Sequence, residues 1–497
     1  MRFRLLLSMA VIVAATGQLH AQYSADALRF SQGQSGSTAR FKAIGAQIGV
    51  GGDLSSIGSN PAGIGLFTRS DFSFTPEFNS YNADAQYLNS RTMGKKDQLG
   101  LAHAAVVWNS KVYKPKGSKL DEGWVSFNYG IGYNKTKSFG DNILFTGTNA
   151  TNSIADYYAQ LATSNYGAPN TLSRGSLERM AYDNYLIGYD NTDGTYFPET
   201  DVNNVQTKND IRTGSQSEIN FAFGANYSNQ FYIGASIGIT SLRYNSDAVY
   251  KEKGYNVTEA NDYDLSFRQS QITRGSGLNA KLGAIYRPVP AVRLGATIET
   301  PTWYTIDDSY TEVLDTKYGK NRVDSQFVNN DETYDFSYKL RTPLKVSGGI
   351  GVFISKYGFI SADIDYLDYS SINFSSANIN SSDSDVILDN NKEILNNYKS
   401  AVNYRIGTEL KFDKLMVRGG YGVQGNPYKE LDNNKFKIST YSAGLGYRFN
   451  DVYVDMTYQQ IAYNTDIKPY NLNPGVSPVA LIENTRTNIF LTIGKRF

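Results

Sequence analysis

The chain has 497 residues, and its 38 tyrosines and 25 phenylalanines stand among 45 glycines, a profile that suits many short strands and not helical layers. Lys+Arg (48) balances Asp+Glu (47), so no basic field exists for nucleic acid. There is no cysteine, which excludes disulfides, thiolate metal sites and cysteine nucleophiles.

Residues 1–21 read as a secretory signal peptide. Arg2 and Arg4 give a positive start, Leu5 to Ala15 is apolar apart from Ser8, and Leu19-His20-Ala21 places a small residue at the cut. That run is well below the ~20 residues of a membrane helix, and no later stretch reaches that length either. Removing the leader leaves His103 as the one histidine. A His-based metal cluster and any two-histidine mechanism are thereby excluded, and no metal or cofactor is expected.

Residues 22–69 have no strand period. A short helix is expected over 38–48, with Ser37 or Thr38 as N-cap and Gly49 past its end. The run from Gly49 to Gly63 is glycine-rich and contains Asn60-Pro61-Ala62-Gly63. It is no phosphate loop, because no Lys-Ser/Thr follows the glycines. A compact segment of this kind ahead of a strand-rich region reads as a hatch, or plug; Asn60, Pro61, Ala62 and Gly63 either fix how it meets the wall, as a gating or positioning element, or form a plain entry turn.

From about residue 71 to the end the chain alternates with period 2. Ile219, Phe221, Phe223 and Ala225 share one face, opposite Asn220, Ala222, Gly224 and Asn226. The polar face carries charges, among them Lys281, Glu299, Asp363, Asp365, Arg405, Glu409, Arg418 and Asp455. The apolar face is rich in Tyr and Phe near segment ends. An exported chain with such strands and no helical anchor is expected to be an all-β transmembrane antiparallel barrel in the outer membrane of a Gram-negative bacterium. Strands are expected near 71–81, 97–109, 123–135, 216–228, 230–244, 263–287, 291–304, 333–354, 357–369, 399–413, 414–426, 436–449, 451–463 and 485–497. That makes fourteen, with both termini periplasmic. Tight turns alternate with long connections, the longest being the extracellular loop 136–215. The expected divisions are 1–21, 22–69 and 70–497.

Loop 136–215 contains two expected helices, 153–164 and 176–186. On them Tyr157, Leu161, Leu177 and Met180 either line a groove for a hydrophobic ligand or pack the loop onto itself. Asp363 and Asp365 share one inward face and are expected to pair with lumen cations such as Arg405. His103 has no orienting carboxylate in view, so the chain is not expected to be an enzyme. The last strand alternates and ends on Phe497, which is similar to the signal read by the barrel-assembly machinery.

The stretch from Gly52 to Gly63, with its Asn-Pro-Ala-Gly, resembles the N-terminal hatch signature of the long-chain fatty-acid/toluene outer-membrane transporter family (FadL/TodX, OmpP1-like). Gly277 to Pro288, Arg293-Leu294-Gly295, Gly358 to Tyr369 and Arg405 to Tyr421 extend the resemblance along the barrel. It implies a fourteen-stranded barrel with a hatch, admitting hydrophobic small molecules or lipids passively and releasing them laterally into the bilayer. A strand kink for the lateral opening is placed at Gly130 and Gly132. Some members of such a family act instead as non-conducting partners of other envelope proteins in export or assembly complexes.

Overall fold

The computed structural model describes residues 23–34, 36–117, 119–319, 333–377, 384–431 and 437–497. The expected signal peptide lies outside them. Fourteen antiparallel strands close into a barrel. They are β1 (Asp71–Tyr87), β2 (Ser90–Lys111), β3 (Trp124–Ser138 and Asp141–Asn149), β4 (Asn204–Tyr227), β5 (Phe231–Asn256), β6 (Asn261–Val289) and β7 (Val292–Glu299 and Trp303–Tyr318). β8 (Thr333–Arg341 and Lys345–Ile354), β9 (Gly358–Asp368 and Asn373–Ser376), β10 (Ser400–Phe412), β11 (Leu415–Gln424), β12 (Ile438–Phe449), β13 (Val452–Ile467) and β14 (Ala480–Arg496) complete the ring. Closure is by β14 on β1, from Asp71↔Arg496 to Tyr87↔Ala480. A closed ladder leaves no sheet edge at its ends.

One end of the barrel has tight turns. Ser228 and Asn229 both take φ 55°, and Asp413 and Asn450 take 54° and 49°, the left-handed backbone that matches the twist of a hairpin. Around this end the wall is apolar outside and polar inside. Ile219 and Phe221 are exposed while Asn220 between them is buried. Exposed Trp124, Tyr227, Phe231, Tyr286, Phe412 and Phe449 gather by the tight turns. This is the belt that a bilayer requires, with aromatics at its rim. Among the described residues no helix is long and apolar enough to cross a membrane.

Toward the other end the strands continue beyond their expected limits, and their polarity inverts. On β5 the inward row changes from Ser236 and Thr240 to Leu242, Tyr244 and Tyr250, while the outward row changes from Ile237 and Ile239 to Ser241 and Arg243. Beyond the belt the wall faces water, so it is built like a soluble barrel. The expected connection 136–215 is therefore shorter: β3 runs to Asn149 and β4 begins at Asn204.

Among the described residues five α-helices accompany the ring. Helix α1 (23–31) and α2 (Ala39–Ile44) precede β1, α3 (Ile154–Asn165) and α4 (Leu177–Asp183) lie between β3 and β4, and α5 (Ser384–Asn397) follows β9. Thr38 caps α2 and Gly45 ends it, within the helix expected over 38–48. Two 3-10 turns follow, Leu54–Ile57 and Pro61–Leu66, capped by Asp53 and Asn60.

Candidate functional site

The segment before β1 lies inside the ring. Helix α2 touches β10 to β14, and the two 3-10 turns touch β1 to β6. Residues 47–50 bridge the remaining arc on β7 to β9: Asp363 accepts from the backbone N–H of Gln47 (2.6 Å), and Arg293 Nη1 donates to the Val50 carbonyl (2.6 Å). Every strand thus meets the inner segment.

Wall glycines follow its path. Gly224, Gly234 and Gly283 are paired side by side on β4, β5 and β6. A Cβ on Gly234 would stand 2.3 Å from the Pro61 carbonyl carbon, and one on Gly283 would stand 2.0 Å from Asn60 Oδ1. Only a glycine row leaves this hollow. Asn60 uses its whole amide there: Oδ1 accepts from the Ala62 N–H (3.2 Å), and Nδ2 donates to the Ile48 carbonyl (2.8 Å). Pro61 is the first residue of its turn, where its missing N–H costs nothing. Gly63 sits against Ser56 of the preceding turn, where a Cβ would approach within 2.5 Å. The four expected positioning residues are therefore together, at the contact between inner segment and wall.

Charge holds the opposite side. Arg40 of α2 donates to Glu409 (2.8 Å), Arg418 donates to the same carboxylate (2.7 Å), and Arg418 also meets Asp455 (2.6 Å). All four side chains are buried or nearly so. Glu409, Arg418 and Asp455 were visible as inward charges; Arg40 was not singled out, and its signal is a guanidinium beside Lys42 in a short helix that is otherwise apolar. Arg405 pairs with Asp365 (2.7 Å), as expected, whereas Asp363 mainly holds the backbone of the inner segment. His103 is fully buried. Its Nδ1 faces Ser37 Oγ (3.0 Å) and Asn134 Oδ1 (2.8 Å), and its Nε2 faces Ser73 Oγ (3.0 Å). None of these partners is a carboxylate, so the arrangement ties segment to wall and is not a hydrolytic triad.

A cavity of about 460 Å³ lies beyond the inner segment, bounded by Phe30, Gln34, Lys137, Phe139, Tyr304 and Arg405, among others. Helix α1 roofs it. Tyr23, Ala27, Leu28 and Phe30 pack in one buried cluster with Tyr244, Tyr304, Tyr338, Phe374 and Ile394.

The wall of this cavity contains a seam. The β2–β3 ladder runs from Lys111↔Ser126 to His103↔Asn134 and stops. Among the described residues no ladder pair joins 90–102 of β2 to β3. Two irregularities meet there: against β4, Lys135 pairs with Ser217 and Lys137 with Gln216, leaving Thr136 as an extra residue on β3, and against β1, His103 pairs with Thr75 and Leu101 with Pro76, leaving Ala102 extra on β2. A bulge bends its strand, yet the two strands stay in touch beyond it: Thr92 Oγ1 donates to the Leu144 carbonyl (2.9 Å) and Asn142 Nδ2 to the Lys95 carbonyl (3.1 Å), so the seam is a stretch without ladder and not an open slot. Leu99, on the side that lost its neighbour, is 85% exposed. The expected kink at Gly130 and Gly132 is not where the wall changes. Both glycines are laddered on both sides, opposite Val107 and Ala222 and opposite Ala105 and Asn220. Their missing side chains make room for Ile57 of the inner segment, within 2.9 Å of a Cβ on Gly130. The irregularity begins three residues later, where Lys135-Thr136-Lys137-Ser138 breaks the period-2 pattern.

The candidate groove on the long connection is closed. Tyr157 and Met180 are buried, and Leu161 and Leu177 pack against the same cluster, which α3 and α4 share with Tyr250, Leu265 and Leu314 of the wall. Burial pushes the Tyr157 phenol far above its ordinary range. Phe497 is exposed, and its N–H reaches the Ser70 carbonyl (2.9 Å), so the chain end lies at the foot of β1.

The fold as a whole is shared with solved structures. The toluene transporter TodX of P. putida superposes with a TM-score of 0.52 at 12% identity, covering 93% of this chain and 99% of its own. A FadL homologue of Pseudomonas aeruginosa gives 0.56 at 11% identity, covering 94% and 100%. At these identities the likeness establishes a shared fold, the one the sequence resemblance implies. No family model matches the chain, and no curated protein sequence is significantly similar to it.

Proposed function

We propose that the protein is an outer-membrane channel for passive uptake of hydrophobic small molecules, with both termini periplasmic, and that it releases them sideways into the bilayer. The seam carries this reading. A hydrophobic solute has no reason to cross the polar belt-level lumen, where Lys281, Glu218, Glu299 and Asp365 are buried in ion pairs. A stretch of wall beside the cavity that is closed by side chains and not by a ladder offers it a shorter path to lipid. On this reading residues 22–69 act as a hatch that blocks the straight route, with Asn60, Pro61, Ala62 and Gly63 as its seat. Residues 70–497 form the barrel, and the connection 150–203 faces the exterior. The reading makes the protein a conduit, with no catalytic group. Barrel-assembly machinery is the proposed partner during insertion, and Phe497 its recognition element.

A test is uptake of a labelled aromatic hydrocarbon and of a long-chain fatty acid by cells with and without the protein. The reading expects faster entry of at least one when it is present, and equal rates contradict it. The inner segment in contact with strands all round the ring also supports a second reading, a non-conducting barrel that serves as partner to other envelope proteins. That reading expects equal uptake and co-purification of another envelope protein at fixed stoichiometry.

A further inference from the structure

The seam is unpaired in its backbone, yet it is not empty. Lys135 of β3 reaches over β2 to form an ion pair with Glu77 of β1. It crosses at Gly100, the residue opposite Glu77 on β2. A Cβ on Gly100 would stand 3.1 Å from Lys135 Nζ and 3.3 Å from Glu77 Oε1, so the glycine leaves the channel in which the pair lies. Both side chains are nearly buried. One residue group along, Ser138 Oγ faces Gln98 Oε1 at 3.3 Å. The lumen side of the same edge is held by the chain before α2. The Gln34 N–H donates to the carbonyl of the bulged Thr136 (3.0 Å), and Lys137 Nζ donates to the Arg29 carbonyl (2.6 Å).

We infer that Lys135 and Glu77 are the bolt of the seam. The pair draws β3 toward β1 across the stretch where the ladder is missing, and residues 29–34 brace the bolt from inside. The inference rests on the proposed release route only for its purpose; the bolt itself is a statement about seam closure. A charged strut suits this place. A backbone ladder would close the wall permanently, since a closed ladder has many cooperative bonds, whereas one ion pair reached by a long flexible side chain can break and re-form. Its position also links hatch and wall. Thr136 to Phe139 line the cavity together with Arg29 to Gln34, so a solute that displaces the brace frees the edge that carries Lys135.

The chain has no cysteine, so a reporter pair can be placed without background. Gln98→Cys with Ser138→Cys spans the seam, and the rate of disulfide formation under mild oxidation in intact outer membranes reads how often it is closed. Adding Lys135→Met or Glu77→Gln should slow cross-linking at least threefold. The reversed pair, Lys135→Glu with Glu77→Lys, should restore it to within twofold, a rescue that loss of a merely structural charge would not show. SDS resistance serves as the check that each variant is inserted. Should Glu77→Gln fail to insert, Lys135→Met carries the test alone. Cross-linking at the parent rate in the inserted single variants overturns the bolt, and so does a reversed pair as slow as the singles. Slowed and rescued cross-linking supports the bolt even when hydrocarbon uptake is unaffected, in which case the release route fails and the bolt does not.

Discussion

Gly234 shows how much one absent methyl group decides. Valine there would drive its side chain into the Pro61 carbonyl from 2.3 Å, and a paired strand cannot retreat. The inner segment should yield first. Gly234→Val is therefore expected to keep the barrel inserted and SDS-resistant while Asn60 to Gly63 become susceptible to added protease, and wild-type protection would refute the hollow's role. Arg418 decides in the opposite sense, through charge. Replacing it with methionine leaves Glu409 and Asp455 buried with fewer cations, and breaking a buried pair of this kind costs about 3–5 kcal/mol. Arg418→Met should lower the temperature at which the barrel unfolds in detergent, measured by loss of heat-modifiable mobility; an unchanged temperature would show that water reaches these carboxylates. At this scale the sequence was partly legible. Inward charges announce themselves by period, so the Arg405–Asp365 pair was expected. Which acid would hold backbone instead, as Asp363 does, depends on where the inner segment passes, and no local pattern records that.

The strands were legible where their outer face meets lipid, and illegible where it meets water. Alternation persists along β5 through both zones, but the apolar residues change sides near Thr240. A reader seeking apolar-out strands ends them there and assigns the rest to loops, which is why 136–215 was expected to be a connection throughout. Helices α3 and α4 were legible from their serine caps, and both Ser153 and Ser176 accept from the first turn. Their apolar faces gave no sign of whether a ligand or the wall would cover them, and the wall does. The bulge on β3 is a different case. Its one extra residue, Thr136, disrupts alternation without any glycine or proline to mark it, so the glycines at 130 and 132 drew attention instead. Deleting Thr136 should restore in-register pairing of β3 with β4, straighten the strand and extend the β2–β3 ladder past His103. The expected outcome is slower cross-linking-independent uptake of a hydrophobic probe with SDS resistance kept, and unchanged uptake would remove the bulge from the mechanism.

The whole molecule is a lipid-facing belt topped by a water-facing barrel, closed by β14 on β1. The last strand meets its partners along most of its length, from Ala480 to Arg496 on β1 and from Ala480 to Lys495 on β13. Phe497 adds no ladder pair and points outward, 61% exposed. Deleting it should leave the final fold intact in principle but reduce the amount inserted, read as less protein in the outer-membrane fraction. Normal levels would show that assembly does not read this residue. The central claim is that hydrophobic solutes leave through the seam between β2 and β3. The most direct measurement is uptake of a labelled hydrophobic hydrocarbon by cells carrying Gln98→Cys with Ser138→Cys, before and after oxidation and again after reduction. Uptake that falls to the level of cells lacking the protein when the disulfide forms, and returns when it is reduced, is the predicted result. Undiminished uptake through a fully locked seam would contradict it.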